Sequence, residues 1–148
     1  MQKTISEKFV KQAIIKWLFR NGWGRNLQAG ELHDKGVDIK VRHNNYARYF
    51  VIEVKGEGTA NSRSRNSQKE THFVYGLGQL VTRMKTGNAR YYYGLGLPES
   101  SAKIAIRRLP WQVAKKLLIF VFSVDVLGKV KQCTWQNLRK FQKPRRVN

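Results

Sequence analysis

The sequence predicts an α/β domain: a mixed sheet with helices on its faces, continued by a C-terminal helical and β-hairpin extension. Two observations carry this. Apolar residues recur at helical spacing in some segments and alternate or run together as strands in others, in the order helix, three strands, helix, strand. The chain of 148 residues is also 41% hydrophobic, with four Trp, six Tyr and seven Phe. That is too rich in aromatics for a disordered chain. The length suits a single domain over 1–148 that buries roughly two-thirds of its unfolded surface.

The elements follow in order. From residue 4 to 21, Val10, Ile14, Trp17 and Leu18 fall at helical spacing and "NGWG" ends the run. "NLQAGEL" reads as a short strand. "VDIKVR" and "YFVIEVKG" flank "HNNYAR", where Asn44 and Asn45 suit a tight connection, so the two segments are expected to pair as a hairpin. "EGTANSRSRNSQKE" (57–70) holds no large apolar side chain and reads as a mobile basic loop. Phe73, Leu77, Leu80, Val81 and Met84 then return to helical spacing, predicting a helix over 68–84 despite Gly76 and Gly78, each costing about 1 kcal/mol relative to Ala. "ARYYYGLGLP" reads as a strand, and "SSAKIAIRRLPWQVAKKL" as two short helices broken before Pro110. "LIFVFSVD", "LGK" and "VKQCTW" give strand, turn and strand. "LRKFQKPRRVN" (138–148) reads as a frayed basic tail.

Charge narrows the partners. Against 29 Lys and Arg stand nine Asp and Glu, a formal net charge of +20. A folded surface so charged repels itself unless a polyanion neutralises it, and phosphate backbones are the commonest polyanion in a cell. An anionic membrane is the weaker candidate: the longest apolar run, "LLIFVF" at 117–122, is about a third of what a bilayer needs. "MQKTISEKF" lacks the apolar core of a secretion signal. The expected location is therefore cytoplasmic, in association with the nucleoid. With one cysteine, Cys133, and three scattered His, the chain has neither a disulfide pair nor zinc-ligand spacing, so any metal must be held by oxygen.

The chemistry concentrates in "VIEVKGEG" (51–58). Residues two apart on a strand share a face, so Glu53 and Lys55 are presented together while Ile52 and Val54 point into the opposite layer. A suitable pairing of the two strands would bring Asp38 and Glu53 to one end of the sheet, in a register the sequence does not fix. Two neighbouring carboxylates repel unless a divalent cation such as Mg²⁺ lies between them. A lysine beside them can then orient or deprotonate a water, or stabilise charge developing on a phosphate. Asp38 opens its strand and is favoured as the ligand over Asp34, which lies in the preceding loop. The bland alternative is a surface "ExK" triplet, but an unpaired acid inside "YFVIEVKG" would cost several kcal/mol.

"GVD" followed by "EVK" resembles the PD-(D/E)xK nuclease superfamily, the restriction-endonuclease-like proteins, over about residues 5–97. Val37 stands where the name-giving proline would be. The resemblance implies a restriction-endonuclease-like core of order αβββαβ. It also implies Mg²⁺ (or Mn²⁺) held by Asp38, Glu53 and the Val54 carbonyl, and a water assisted by Lys55. Glu7 in the first helix and Gln79 in the helix after the motif match places where family members add polar residues. Each has a competing role: "TISE" at 4–7 fits a capping box of Thr4 and Glu7, although 7, 10, 14 and 17 share one face. Gln79 shares a face with Tyr75, Thr82 and Arg83 that an ordinary solvated helix would also show. Arg63, Arg65, Lys69 and Arg83 are expected to contact phosphates. His33, His43 and His72 read as turn or surface residues.

The expected activity is metal-dependent endonucleolytic cleavage of DNA, double-stranded or branched. Since one small chain carries one site, cutting both strands calls for a homo-oligomer, a dimer or larger. Two alternatives compete: a non-catalytic nucleic-acid-binding module of the same fold, for DNA or RNA, and an RNA-binding protein argued from charge alone.

Overall fold

The structure, a computed structural model, describes residues 4–25, 38–57, 62–84 and 90–143, and of residues 62–67 only the backbone. The elements are α1 (Glu7–Arg20), β1 (Ile39–Arg42), β2 (Tyr49–Val54), α2 (Ser62–Thr82), β3 (Tyr91–Pro98), α3 (Glu99–Arg108), α4 (Trp111–Leu117), β4 (Ile119–Val124), β5 (Val130–Cys133) and α5 (Trp135–Gln142). The five strands form one open sheet in the order β1-β2-β3-β4-β5. Pairing is antiparallel at both ends and parallel for β2/β3 and β3/β4. The C-terminal half thus extends the same sheet.

Strand alternation sorts the core into two layers. Phe50, Ile52 and Val54 of β2 face α1, where Val10, Ile14 and Leu18 cover them. Val51, with Leu95 and Leu97 of β3, faces the opposite layer, where Phe73 and Leu80 of α2 and Ala102 and Ala105 of α3 lie. Glu53 shares the Val51 face by the same period of two. In "YYYGLGLP" the leucines take the α2 side and the glycines the α1 side; a Cβ at Gly96 would run into Ile14 Cδ1, so glycine sets how closely α1 approaches.

The hairpin forms as expected, with Ile39 opposite Ile52 and Val41 opposite Phe50. His43 N–H donates to the Arg48 carbonyl at 2.8 Å across the connection, and Asn44 Oδ1 accepts from Arg25 N–H at 2.8 Å. The segment "NLQAGEL" lies outside the described residues.

Three expectations are corrected. Most of 57–70 is helical, because α2 begins at Ser62. Its first turns lack apolar side chains, which removes the periodic signal, but no Gly or Pro interrupts them. The segment 138–148 is not simply a tail: α5 runs to Gln142, with Leu138 fully buried. A Thr134–Asn137 capping box starts α5. Gln142 Nε2 donates to the Ile106 and Leu109 carbonyls at 2.8 and 2.6 Å and fastens its end. One buried leucine and a set of polar contacts leave little amphipathic pattern to read. The cap of α1 is Ser6, whose Oγ accepts from Phe9 N–H at 3.1 Å, so the Thr4–Glu7 box offered as the competing role of Glu7 is not the cap that forms. Among the described residues, no helix is long and apolar enough to cross a membrane.

Candidate active site

Asp38 sits immediately before β1, one residue beyond the Ile39–Ile52 pair, so the register continued by one step sets it across from Glu53. Its carboxylate meets the backbone of β2. Lys55 N–H donates to the Gly96 carbonyl of β3 at 3.0 Å, whereas Val54 N–H turns the other way and donates to Asp38 Oδ2 at 2.7 Å. Because β1 has ended there, a side chain takes the hydrogen bond that a ladder partner would have made. The half-buried Asp38 is thereby fixed beside the residue that separates Glu53 from Lys55.

Glu53 is 2% exposed and ion-paired with Arg83, just past the end of α2. Arg83, expected on a phosphate, has its guanidinium on this carboxylate in the protein alone, and the carboxylate could not stay charged in the core without it. Sequence periodicity offered no sign of the pair, since the two residues lie 30 positions apart on different elements.

Lys55 is half-buried and lines a groove of about 520 Å³ between the start of α1 (Glu7), the end of β2 (Gly56, Glu57) and α2 (Thr71, His72, Tyr75). Gly56 permits this meeting: a Cβ there would collide with the backbone of Ser6 and Glu7. Glu7 is exposed rather than a continuation of the buried Val10–Ile14–Leu18 stripe, as its place in the first turn explains, but it does share the groove with Lys55. Sequence reasoning missed Glu57. Its Oε2 accepts from Ile5 N–H at 3.0 Å and its Oε1 from Ser100 Oγ at 3.1 Å, while its own N–H donates to the Ile5 carbonyl at 2.7 Å. With both oxygens engaged, Glu57 ties the chain before α1 and the start of α3 to the end of β2. Tyr75, 65% exposed, and half-buried His72 also belong to the groove, and their helical spacing of three was the available signal.

Gln79 is half-buried on α2, one turn before Arg83; its Oε1 is buried with no hydrogen-bond partner among the described residues. Lys69 is half-buried on α2. The side chains of Arg63 and Arg65, and Asp34 and His33 altogether, lie outside the described residues, while His43 packs edge-on against Trp23 at 4.9 Å, away from any site role. Burial pushes the Cys133 thiol up, against a weaker opposing effect of Lys131.

Among the described residues, no group of three or more His, Cys, Asp or Glu converges as a metal cage. The oxygen donors that the backbone brings near one another are Asp38, bonded to Val54 N–H, and Glu53, across from it when the register is continued by one step. These are hard oxygen ligands, and Mg²⁺ commonly takes only one or two carboxylates, completing its shell with water and substrate phosphate. The residues fit such an ion. Compared with family models, with curated proteins and with solved structures, the chain matches none.

Proposed function

We propose that this protein is a metal-dependent endodeoxyribonuclease of the PD-(D/E)xK type. The observation that supports this reading is the bond from Val54 N–H to Asp38 Oδ2, which fixes a carboxylate on the residue between Glu53 and Lys55 in an otherwise strongly basic chain. In this reading Asp38, Glu53 and the Val54 carbonyl would hold Mg²⁺ or Mn²⁺, which would supply Lewis-acid polarisation of the phosphate and acidify a water. Lys55, which lines the groove, would orient a water and offer positive charge to the phosphate as negative charge builds on its oxygens. Glu7, on the same groove, would accept a hydrogen bond from a water there. Gln79 adds a neutral acceptor that holds hydrated groups in place without adding charge.

The second reading, a nucleic-acid-binding module without catalysis, is favoured by the Glu53–Arg83 ion pair, which accounts for the buried acid without any metal. The two readings part on one experiment: cleavage of supercoiled plasmid and of a labelled branched DNA in millimolar Mg²⁺, with Lys55→Ala and an EDTA control. The nuclease reading expects EDTA to stop cleavage and Lys55→Ala to slow it by about a hundredfold or more with DNA affinity retained. Tight binding without cuts on either substrate would transfer the assignment to the binding module. A preference for RNA in metal-free binding, again without cuts, would support the RNA-binding alternative.

A further inference from the structure

Glu53 is 2% exposed, and the cation against it, Arg83, is 29% exposed. An acid so buried needs an opposite charge beside it, and Arg83 provides one in the protein alone. A divalent cation on Asp38 and Glu53 would have to share the Glu53 carboxylate with a guanidinium, and like charges at such range repel strongly where water is scarce. We infer that Arg83 and the metal are alternative partners of Glu53: Arg83 holds the carboxylate in the metal-free protein, yields it when the cation binds, and then takes a phosphate oxygen of the DNA. This rests on the nuclease reading and assigns Arg83 a positioning role within it.

The surroundings of Arg83 suit an exchange. Its backbone is anchored by the bond from its N–H to the Leu80 carbonyl at 3.1 Å. The residue lies beyond the last helical position, Thr82, and is partly exposed, so its side chain can swing without disturbing the core. Guanidinium groups match phosphate oxygens two at a time. One helical turn earlier, the unpartnered Gln79 Oε1 offers a displaced guanidinium an acceptor.

Charge balance gives the exchange a consequence. Without metal, the carboxylates of Asp38 and Glu53 are offset by Lys55 and Arg83, and Glu7 and Glu57 in the groove leave the site net negative and repellent to a phosphate. A divalent cation cancels that negative excess and with it the repulsion. Metal and DNA therefore bind with positive coupling, which is reciprocal by linkage, and DNA held elsewhere on the basic surface is not drawn into the site before the metal arrives.

The probe is Mn²⁺ without DNA, titrated calorimetrically into wild type, Arg83→Gln and Glu53→Gln, each checked for folding by circular dichroism. Arg83→Gln is expected to tighten Mn²⁺ by about tenfold or more while slowing plasmid cleavage, and Glu53→Gln to lose the Mn²⁺ site. Opposite movements of metal affinity and cleavage are not expected of a merely structural residue. Unchanged or weaker Mn²⁺ binding by Arg83→Gln, with Glu53→Gln still losing it, would refute the exchange and leave the metal site standing. Mn²⁺ binding indifferent to Glu53 would instead sink the nuclease reading beneath it. Should Arg83→Gln fail to fold, the wild type decides: saturating Mg²⁺ must shift the Arg83 Nε–H resonance, and an unmoved resonance rejects the exchange.

Discussion

Asp38 combines two roles that substitution can separate. Its carboxylate satisfies Val54 N–H at 2.7 Å and, in the proposed mechanism, holds metal. Asp38→Asn keeps an oxygen acceptor for the amide but loses the charge, whereas Asp38→Ala loses both and leaves a backbone donor without its partner. Hydrogen bonds to charged groups contribute about 1.5–3 kcal/mol. Denaturant unfolding should therefore find Asp38→Ala destabilised by about that amount and Asp38→Asn by less than half of it, with cleavage abolished in both. Equal stability losses would mean that the hydrogen bond is not what Asp38 contributes to the fold. Cys133 gives a second test, of pH dependence. The thiol is 1% exposed and is raised above its ordinary 9.0, chiefly by burial. Its contribution to stability is complete below about pH 9, where the unfolded thiol is also protonated, and is lost as pH rises through the folded value. Native protein at pH 8 should react with a disulfide reagent only as fast as it opens, and Cys133→Ser should lessen the fall in stability above pH 9.

At the scale of elements, α2 carries two glycines with opposite meanings. A Cβ at Gly76 would lie 2.7 Å from Leu95 Cδ1 and 3.5 Å from Lys55 Cγ, and Leu95 is fully buried, whereas at Gly78 nothing among the described residues lies within 4 Å. Gly78→Ala should gain about 0.5–1 kcal/mol from helix propensity. Gly76→Ala should lose about 1–3 kcal/mol to overpacking and weaken cleavage by moving α2 off Lys55. Thermal melts of the two variants check the signs; a stabilised Gly76→Ala would show that α2 can withdraw from β3 at little cost. The same helix shows what the sequence could and could not disclose. A period of two correctly assigned Glu53 and Lys55 to one face and Ile52 and Val54 to the other, and hairpin pairing brought Asp38 opposite Glu53 once the register was known. The amphipathic stretch Phe73–Met84 announced the C-terminal half of α2, which ends at Thr82, but its start at Ser62 carries no apolar pattern and read as loop. The ties that fix the site are contacts between distant polar groups: Arg83 on Glu53, Glu57 on Ile5 and Ser100, Gln142 on Ile106 and Leu109. Periodicity records burial along one element and is silent about such pairs.

Over the whole molecule, net charge of +20 is distributed on both sides of the sheet: Lys8, Lys16 and Arg20 are exposed on α1, and Lys115, Lys116, Arg139 and Lys140 on α4 and α5. On the proposed function, affinity for DNA should thus be largely electrostatic and indifferent to the site. With six phosphate contacts, binding without metal would fall about a thousandfold between 50 and 200 mM salt, along the same slope for wild type and Asp38→Asn. A flat salt response would exclude a phosphate-driven interface. The same charge bears on assembly. At about 0.01 M salt the Debye length is about 30 Å, comparable to the span of a domain of this size, so two copies repel across their full width. A duplex removes that repulsion by neutralising both surfaces, and it also supplies two strands for two sites. Sedimentation at low salt should find monomers without DNA and two copies on a short duplex. If the protein is already a stable dimer at low salt without DNA, an apolar interface strong enough to overcome that repulsion must join the subunits, and pairing is then a property of the protein rather than of its substrate.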